Sequence, residues 1–131
     1  MALIVQKFGG TSVGSVERIR NVARRVAKWK AAGHDLVVVP SAMAGETNRL
    51  IALAQSLQPQ PDARELDVVA ATGEQVTVGL LTMALLEIGV RARSYTGWQV
   101  RVLTDSAYSK SRIIEIDQEK EIGRASCRER V

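Results

Sequence analysis

The sequence is poor in cysteine, proline and aromatic residues. Its 131 residues include one cysteine, three prolines and 4% aromatic side chains. Because the cysteine, Cys127, lies near the C-terminal end, disulfide, thiol and zinc-thiolate chemistry are excluded for the rest of the chain. A nucleic-acid surface would need clustered basic residues with aromatic stacking partners, and no such cluster is seen. We therefore expect no nucleic-acid partner.

Long hydrophobic runs are also missing. No apolar run approaches the roughly 20 residues of a membrane span, so we expect no membrane association. The N-terminus enters a predicted strand directly, which leaves no room for a signal peptide. The net charge of +4 is modest, and the basic residues are scattered or confined to one helix face. These features together predict a cytoplasmic protein.

The residues that are abundant favour an α/β fold. Hydrophobic residues make up 46% of the chain, which is enough for a real core. Valine, leucine and alanine dominate them. The length fits one small domain or a piece of a larger one.

The opening stretch has the form of an anion-binding site. A short apolar run, Leu3–Val5, predicts a buried strand, and the pair Gly9–Gly10 then leads towards a helix with Ser15 as N-cap. Glycines permit close approach of a phosphate, and a helix start offers unpaired N–H groups. Three further donors lie beside the glycines: Lys7, Thr11 and Ser12.

On these residues alone, an ordinary Gly-Gly turn after a strand is the favoured interpretation. A Walker A loop is excluded, because the lysine precedes the glycines. The literal string Lys7-Phe8-Gly9-Gly10-Thr11-Ser12, however, resembles the opening motif of aspartate kinases, which are members of the amino-acid kinase family. The resemblance implies that Lys7 is catalytic and binds the ATP phosphates together with Gly9, Gly10, Thr11 and Ser12.

The next segments predict a βαβ unit. Apolar residues recur at helical spacing from about Ser15 to Ala32, with Val16 in the apolar stripe, and Gly33 ends the helix. Leu36–Val39 then predicts a second buried strand. Strands joined in this way run parallel, so both should end at the same edge of the sheet.

A second motif follows that strand. Ser41-Ala42-Met43 and Thr47 resemble the aspartate kinase loop that contacts the amino-acid substrate, which implies that Ser41 and Thr47 bind substrate. From the residues alone, Ser41 is a turn residue and Thr47 is the N-cap of a helix over about 48–58. Both interpretations can hold together.

A third motif interrupts a long helical region between Asp62 and Gly89. Thr72-Gly73-Glu74 resembles the third aspartate kinase motif, in which the acid binds ligand, so the resemblance implies that Glu74 binds substrate. By itself a glutamate on a helix predicts a surface residue. The glycine predicts a kink or a break between two helices. After it, an apolar stripe is predicted over Val76, Leu80, Leu81, Ala84, Leu85 and Ile88.

The remaining segments carry weaker signals. Residues 91–95 alternate weakly and predict an edge or third strand, and residues 96–99 predict a turn. Residues 101–105 and 112–116 predict a strand pair. Residues 121–131 depart from the aspartate kinase pattern and resemble a translated sequencing adapter. We therefore divide the chain into 1–120, an N-terminal part of a catalytic domain, and 121–131, a non-native tail.

The resemblance implies the amino-acid kinase (carbamate-kinase-like) fold, with a mainly parallel sheet flanked by helices. It also implies transfer of the ATP γ-phosphoryl to the side-chain carboxylate of L-aspartate, with Mg²⁺ bound through the phosphates and no protein metal site. The parent enzyme is expected to be a homo-oligomer, and the 131-residue chain alone to be inactive. Two alternatives remain open: a non-catalytic anion-binding module, and another member of the amino-acid kinase family.

Overall fold

A computed structural model describes residues 1–100 and 102–116. The chain divides into two compact units, one over Met1–Ser94 and one that begins at Tyr95. The predicted tail, 121–131, lies outside the described residues, so the division at residue 120 stays a prediction.

The first unit begins with the predicted βαβ unit. Strand β1 (Leu3–Phe8) is followed by a short 3-10 helix (Gly10–Val13), helix α1 (Val16–Ala31) and strand β2 (Asp35–Pro40). The two strands pair in parallel, from Leu3 opposite Asp35 to Phe8 opposite Pro40. The predicted parallel pairing is therefore confirmed, and both strands end at one edge.

Helix α1 forms where its sequence signals place it. The Ser15 side chain accepts a hydrogen bond from the Arg18 N–H, and Gly33 adopts φ 92° just after the helix. Its buried face is Ile19, Val22, Ala23 and Val26. Val16, which we placed in the apolar stripe, is exposed, because it lies in the first turn beyond the core.

Three more helices complete the first unit: α2 (Glu46–Leu57), α3 (Ala63–Ala70) and α4 (Thr72–Glu87). The predicted break between helices at the Thr72-Gly73-Glu74 motif is confirmed, since Ala71 alone separates α3 from α4. The core joins the end of β1 to α1 and α4. Its buried members are Phe8, Val13, Ile19, Val22, Ala23, Val26, Leu81 and Leu85.

Helix α4 buries only part of the predicted stripe: Leu81 and Leu85 lie in the core, and Leu80 and Ala84 pack against it. Its buried residues are Gly73, Thr77, Leu81 and Leu85, spaced by four, whereas Val76 and Ile88 of the predicted stripe are exposed. Thr77 is fully buried, and its hydroxyl is satisfied by donating to the Gly73 carbonyl at 3.2 Å. A helix that is apolar on all sides does not reveal its buried face by periodicity.

The two strands are not buried on both faces, as their apolar runs predicted. Ile4, Gln6 and Phe8 alternate with the exposed Leu3, Val5 and Lys7. In β2, Val38 packs on the core while Val37 and Val39 point away from it. Among the described residues, helices cover only one face of this sheet. The opposite face is an apolar surface that carries Lys7.

The segment predicted as a third strand has no regular structure over residues 91–96. Its weak alternation arises because Val90 and Ala92 pack against the core without a strand partner.

In the second unit, a four-residue helix α5 (Gly97–Val100) lies where a turn was predicted. The Gln99 side-chain oxygen closes this segment by accepting from the Thr96 N–H at 2.8 Å. The predicted strand pair is confirmed, with β3 (Val102–Thr104) antiparallel to β4 (Ile113–Ile116).

The stretch Ala63–Glu87, which α3 and α4 form together, is long and apolar enough to cross a membrane by length and composition. This corrects the expectation that no such run exists. Core helices of soluble proteins have the same length and composition, and Leu81 and Leu85 of this stretch lie in the core described above.

Candidate active site

The ends of the two parallel strands are joined directly. The Ser41 N–H donates to the Phe8 carbonyl at 2.9 Å, one residue beyond the last ladder pair. Backbone at the carboxyl edge of a parallel sheet is where ligands bind in open α/β folds. The first and second sequence motifs therefore meet at that edge.

Three glycines, Gly10, Gly14 and Gly73, allow close packing against Ala42 and Ala44 in the loop after β2. A Cβ on Gly10 would lie 2.9 Å from the Ala42 carbonyl oxygen, and a Cβ on Gly73 would lie 2.9 Å from the Ala42 Cβ. A Cβ on Gly14 would lie 3.2 Å from the Ala44 Cβ. Because such contacts leave no room for a side chain, the loop after β2 is held between the 3-10 helix and α4.

The two glycines of the Gly9–Gly10 pair have different surroundings. Gly10 is needed for packing against Ala42, whereas a Cβ on Gly9 would meet nothing within 4 Å. The open side of Gly9 leaves room for a ligand, as the sequence interpretation requires. Two hydrogen bonds hold the backbone that follows Gly9. Arg18 Nη1 donates to the Thr11 carbonyl at 2.6 Å, and the Ser12 N–H donates to the Gly9 carbonyl at 3.0 Å.

A solvent-open cleft of about 300 Å³ lies where the three motifs converge. It draws on the 3-10 helix, the loop after β2, the start of α2 and the start of α4. The residues that line the cleft are Gly10, Ser41, Ala42, Met43, Ala44, Gly45, Thr47, Asn48 and Glu74.

The three predicted substrate contacts, Ser41, Thr47 and Glu74, are thus brought together in one cleft. Within residues 1–100 and 102–116, their side-chain oxygens have no hydrogen-bond partner. Glu74 is exposed, as a glutamate on a helix predicts. Their chemistry combines two hydroxyl donors with one carboxylate, which suits a small zwitterion.

Thr47 is not the N-cap of α2, contrary to the sequence prediction. The cap is Gly45, at φ 78°, and the helix begins at Glu46. Thr47 and Asn48 therefore lie in the first turn, and no carbonyl of the described part of the chain accepts from their N–H groups. These orphan donors at a helix start can bind an anion in the cleft.

The predicted phosphate-binding residues lie along the same sheet edge, but only Gly10 lines the cleft. Lys7 lies next to the end of β1, opposite Val39, on the exposed face of the sheet. Gly9, Thr11 and Ser12 follow it and are exposed. The substrate residues and the phosphate residues are adjacent through the Phe8–Ser41 hydrogen bond, and Gly10 belongs to both groups.

Sequence reasoning missed two features, one in the cleft and one beside it. Asn48 lines it, and its place after Thr47 in the first helical turn was the signal that could have revealed it. The second is an ion pair in which Arg49 Nε donates to Glu46 Oε2 at 3.0 Å and Arg49 Nη2 donates to Glu46 Oε1 at 2.6 Å. The Arg49 hydrogen bonds hold the pKa of the Glu46 carboxyl below its ordinary value.

These features define an α/β unit with a small-molecule cleft at the carboxyl edge of parallel strands. Residues 2–124 match the model of the amino acid kinase family. The chain belongs to that family.

Its relatives are aspartate kinases. The chain is 67% identical over 120 residues to an aspartate kinase of Pseudomonas putida, which covers 92% of this chain and 29% of that protein. It is 55% identical over 117 residues to aspartokinase 2 of Bacillus subtilis, covering 89% and 29% respectively. The crystal structure of aspartate kinase from Synechocystis superposes with a TM-score of 0.72 at 54% identity, covering 73% of this chain and 16% of that one. The chain therefore spans less than a third of these proteins.

The contact between Gly10 and Ala42 gives a stability prediction. We define a chimera in which residues 1–120 replace the matching part of the Pseudomonas putida aspartate kinase. Gly10→Ala in this chimera should destabilise it by about 1–3 kcal/mol, because a backbone oxygen must move to admit the methyl group. Gly9→Ala is the matched control and should leave stability nearly unchanged. Thermal unfolding of both variants measures the difference, and equal midpoints would contradict the packing role of Gly10.

Proposed function

We propose that the chain is the N-terminal part of an aspartate kinase, which transfers the γ-phosphoryl group of ATP to the side-chain carboxylate of L-aspartate. The observation that carries the proposal is the convergence of Ser41, Thr47 and Glu74 on one cleft beside the Lys7-Gly9-Gly10 segment. The names of the relatives support the same reaction.

The cleft suits an amino acid with two carboxylates. The Glu74 carboxylate can accept from the substrate ammonium group through charge-assisted hydrogen bonds. The free N–H groups of Thr47 and Asn48, at the positive end of α2, can bind a substrate carboxylate. The Ser41 hydroxyl can donate to the second carboxylate, which then points towards the end of β1.

The reaction needs no general base, because a carboxylate with an ordinary pKa of about 3.9 is already ionised near neutral pH. The difficulty is to bring this anion against the anionic phosphates. Aligned cations and N–H donors reduce that repulsion, and positioning supplies most of the remaining rate enhancement. Lys7 would supply the cation, and the Gly9-Gly10-Thr11-Ser12 segment would supply donors to the phosphates.

The metal would enter with the nucleotide. The described residues contain no group of three or more histidine, cysteine, aspartate or glutamate side chains that could hold a metal ion. Mg²⁺ is commonly bound through substrate phosphates with few protein ligands, so the residues present fit an ion carried by ATP. When bound, it would neutralise phosphate charge.

The partners of the parent enzyme would be L-aspartate and ATP, with neither nucleic acid nor membrane involved. We also propose a cytoplasmic location and a homo-oligomeric parent enzyme. The alternative of a non-catalytic anion-binding module would require the substrate residues to meet in one cleft by coincidence.

The chimera tests the proposed function. It should form aspartyl hydroxamate from L-aspartate, MgATP and hydroxylamine at a rate within about tenfold of the Pseudomonas putida enzyme, a barrier difference of about 1.4 kcal/mol. L-Glutamate in place of L-aspartate is the control for the substrate. A folded chimera without aspartate-dependent product would contradict the proposal.

A further inference from the structure

Glu46 connects the two helix starts that form the cleft. It is the first residue of α2, and its N–H donates to the Met43 carbonyl at 2.9 Å. Its Cγ lies 3.8 Å from the position of a Cβ on Gly73, in the first turn of α4. Thr47 follows Glu46 and Glu74 follows Gly73, so Glu46 lies beside both segments that carry predicted substrate contacts.

The carboxylate of Glu46 creates an electrostatic problem at this place. An acidic side chain in the first turn interacts favourably with the positive end of its own helix. It would therefore compete with a substrate carboxylate for the N–H groups of Thr47 and Asn48. A second uncompensated carboxylate near Glu74 would also repel a dicarboxylate substrate.

Arg49 compensates the charge of Glu46 and fixes the orientation of its carboxylate. Its guanidinium takes both Glu46 oxygens, at 3.0 and 2.6 Å, in the bidentate arrangement that fixes a carboxylate in orientation as well as charge. The Glu46 side chain is 29% exposed and that of Arg49 58% exposed, so the pair is half-open to water. Open pairs of this kind contribute little to stability, which leaves positioning and charge compensation as their main effect.

We infer that Glu46 and Arg49 are positioning residues for the amino-acid substrate. Glu46 sets the spacing of the two helix starts, and Arg49 compensates the charge of Glu46, which lies beside the cleft. Glu74, the one carboxylate that lines the cleft among the described residues, then meets the substrate without a second uncompensated carboxylate nearby. This inference rests on the proposed function and adds to it how the cleft admits a dicarboxylate.

The test uses the chimera and three variants: Glu46→Gln, Arg49→Leu, and the double variant. Arg49→Leu should raise KM for L-aspartate by about tenfold, because the uncompensated Glu46 carboxylate would then repel the substrate carboxylates. The kcat and the KM for ATP should change by less than about twofold, since the substitution removes a ground-state interaction of one substrate. Adding Glu46→Gln should restore the aspartate KM to within about threefold, because the uncompensated charge is gone.

The double variant separates charge compensation from a merely structural role. A structural defect would raise KM for both substrates, lower the thermal midpoint, and persist in the double variant. That pattern, or an unchanged aspartate KM in Arg49→Leu, would overturn the inference. An unsubstituted chimera that folds but lacks activity would instead contradict the proposed function, so the two failures are distinguishable.

Discussion

Lys7→Ala in the chimera should lower kcat by about 100- to 1000-fold, with a much smaller change in KM for aspartate. Lys7 is the second-last residue of β1, and the adjacent Phe8 carbonyl accepts from the Ser41 N–H of the cleft loop. A full positive charge at this place would meet the charge that develops on the transferred phosphoryl group, and such interactions are felt chiefly in the transition state.

Steady-state kinetics with aspartate and MgATP measure the effect. Lys28→Ala is the matched control, because Lys28 is exposed in the last turn of α1, away from the strand ends. The control should behave like the unsubstituted chimera. A near-normal kcat in the Lys7→Ala variant would contradict a catalytic role for Lys7.

The 131-residue chain expressed by itself should show no aspartate kinase activity. It spans 29% of the Pseudomonas putida relative, and Lys7 lies on a sheet face that no described helix covers. Positioning of the phosphoryl group provides most of the catalysis in this kind of reaction, and an open face cannot supply it. The exposed Leu3, Val5 and Val39 beside Lys7 also predict a marginal, aggregation-prone fold.

The hydroxamate assay decides this prediction with the chimera as positive control. Product from the purified chain should not exceed the background measured without aspartate. Aspartate-dependent turnover clearly above that background would mean that the chain holds a complete site.

Local signals made the βαβ unit predictable. Ser15 and Gly33 bound α1 through a side-chain cap and a positive φ, which are properties of single residues. Two strands joined by a single helix run parallel in a βαβ unit, so their carboxyl ends were expected to lie together. The meeting of Ser41 with the end of β1 followed from topology alone.

Features set by tertiary packing were not predictable in the same way. The apolar composition of α4 concealed that Gly73 and Thr77 face its neighbours, because close approach favours small residues there. The runs Leu3–Val5 and Leu36–Val39 predicted strands buried on both faces, but burial depends on which layers are present. Thr47 looked like a cap, yet Gly45 adopts the φ of 78° that the tight turn requires.

The cleft illustrates the same limit. Each of its motifs could be located in the sequence through resemblance to aspartate kinases, but physics alone gave each an ordinary structural explanation. The Glu46–Arg49 pair carries no motif, and the positioning role that we infer for it rests on the ion pair itself and on the approach of the Glu46 side chain to Gly73.

Calorimetric titration of L-aspartate into the chimera, compared with its Glu74→Gln variant, tests most directly whether the cleft binds the amino acid. Glu87→Gln, at the other end of α4, is the matched control. The account predicts that Glu74→Gln weakens aspartate binding by about 1.5–3 kcal/mol, through loss of a charge-assisted hydrogen bond, while ATP binding stays nearly unchanged. Unchanged aspartate affinity, or an equal loss for both ligands, would contradict it.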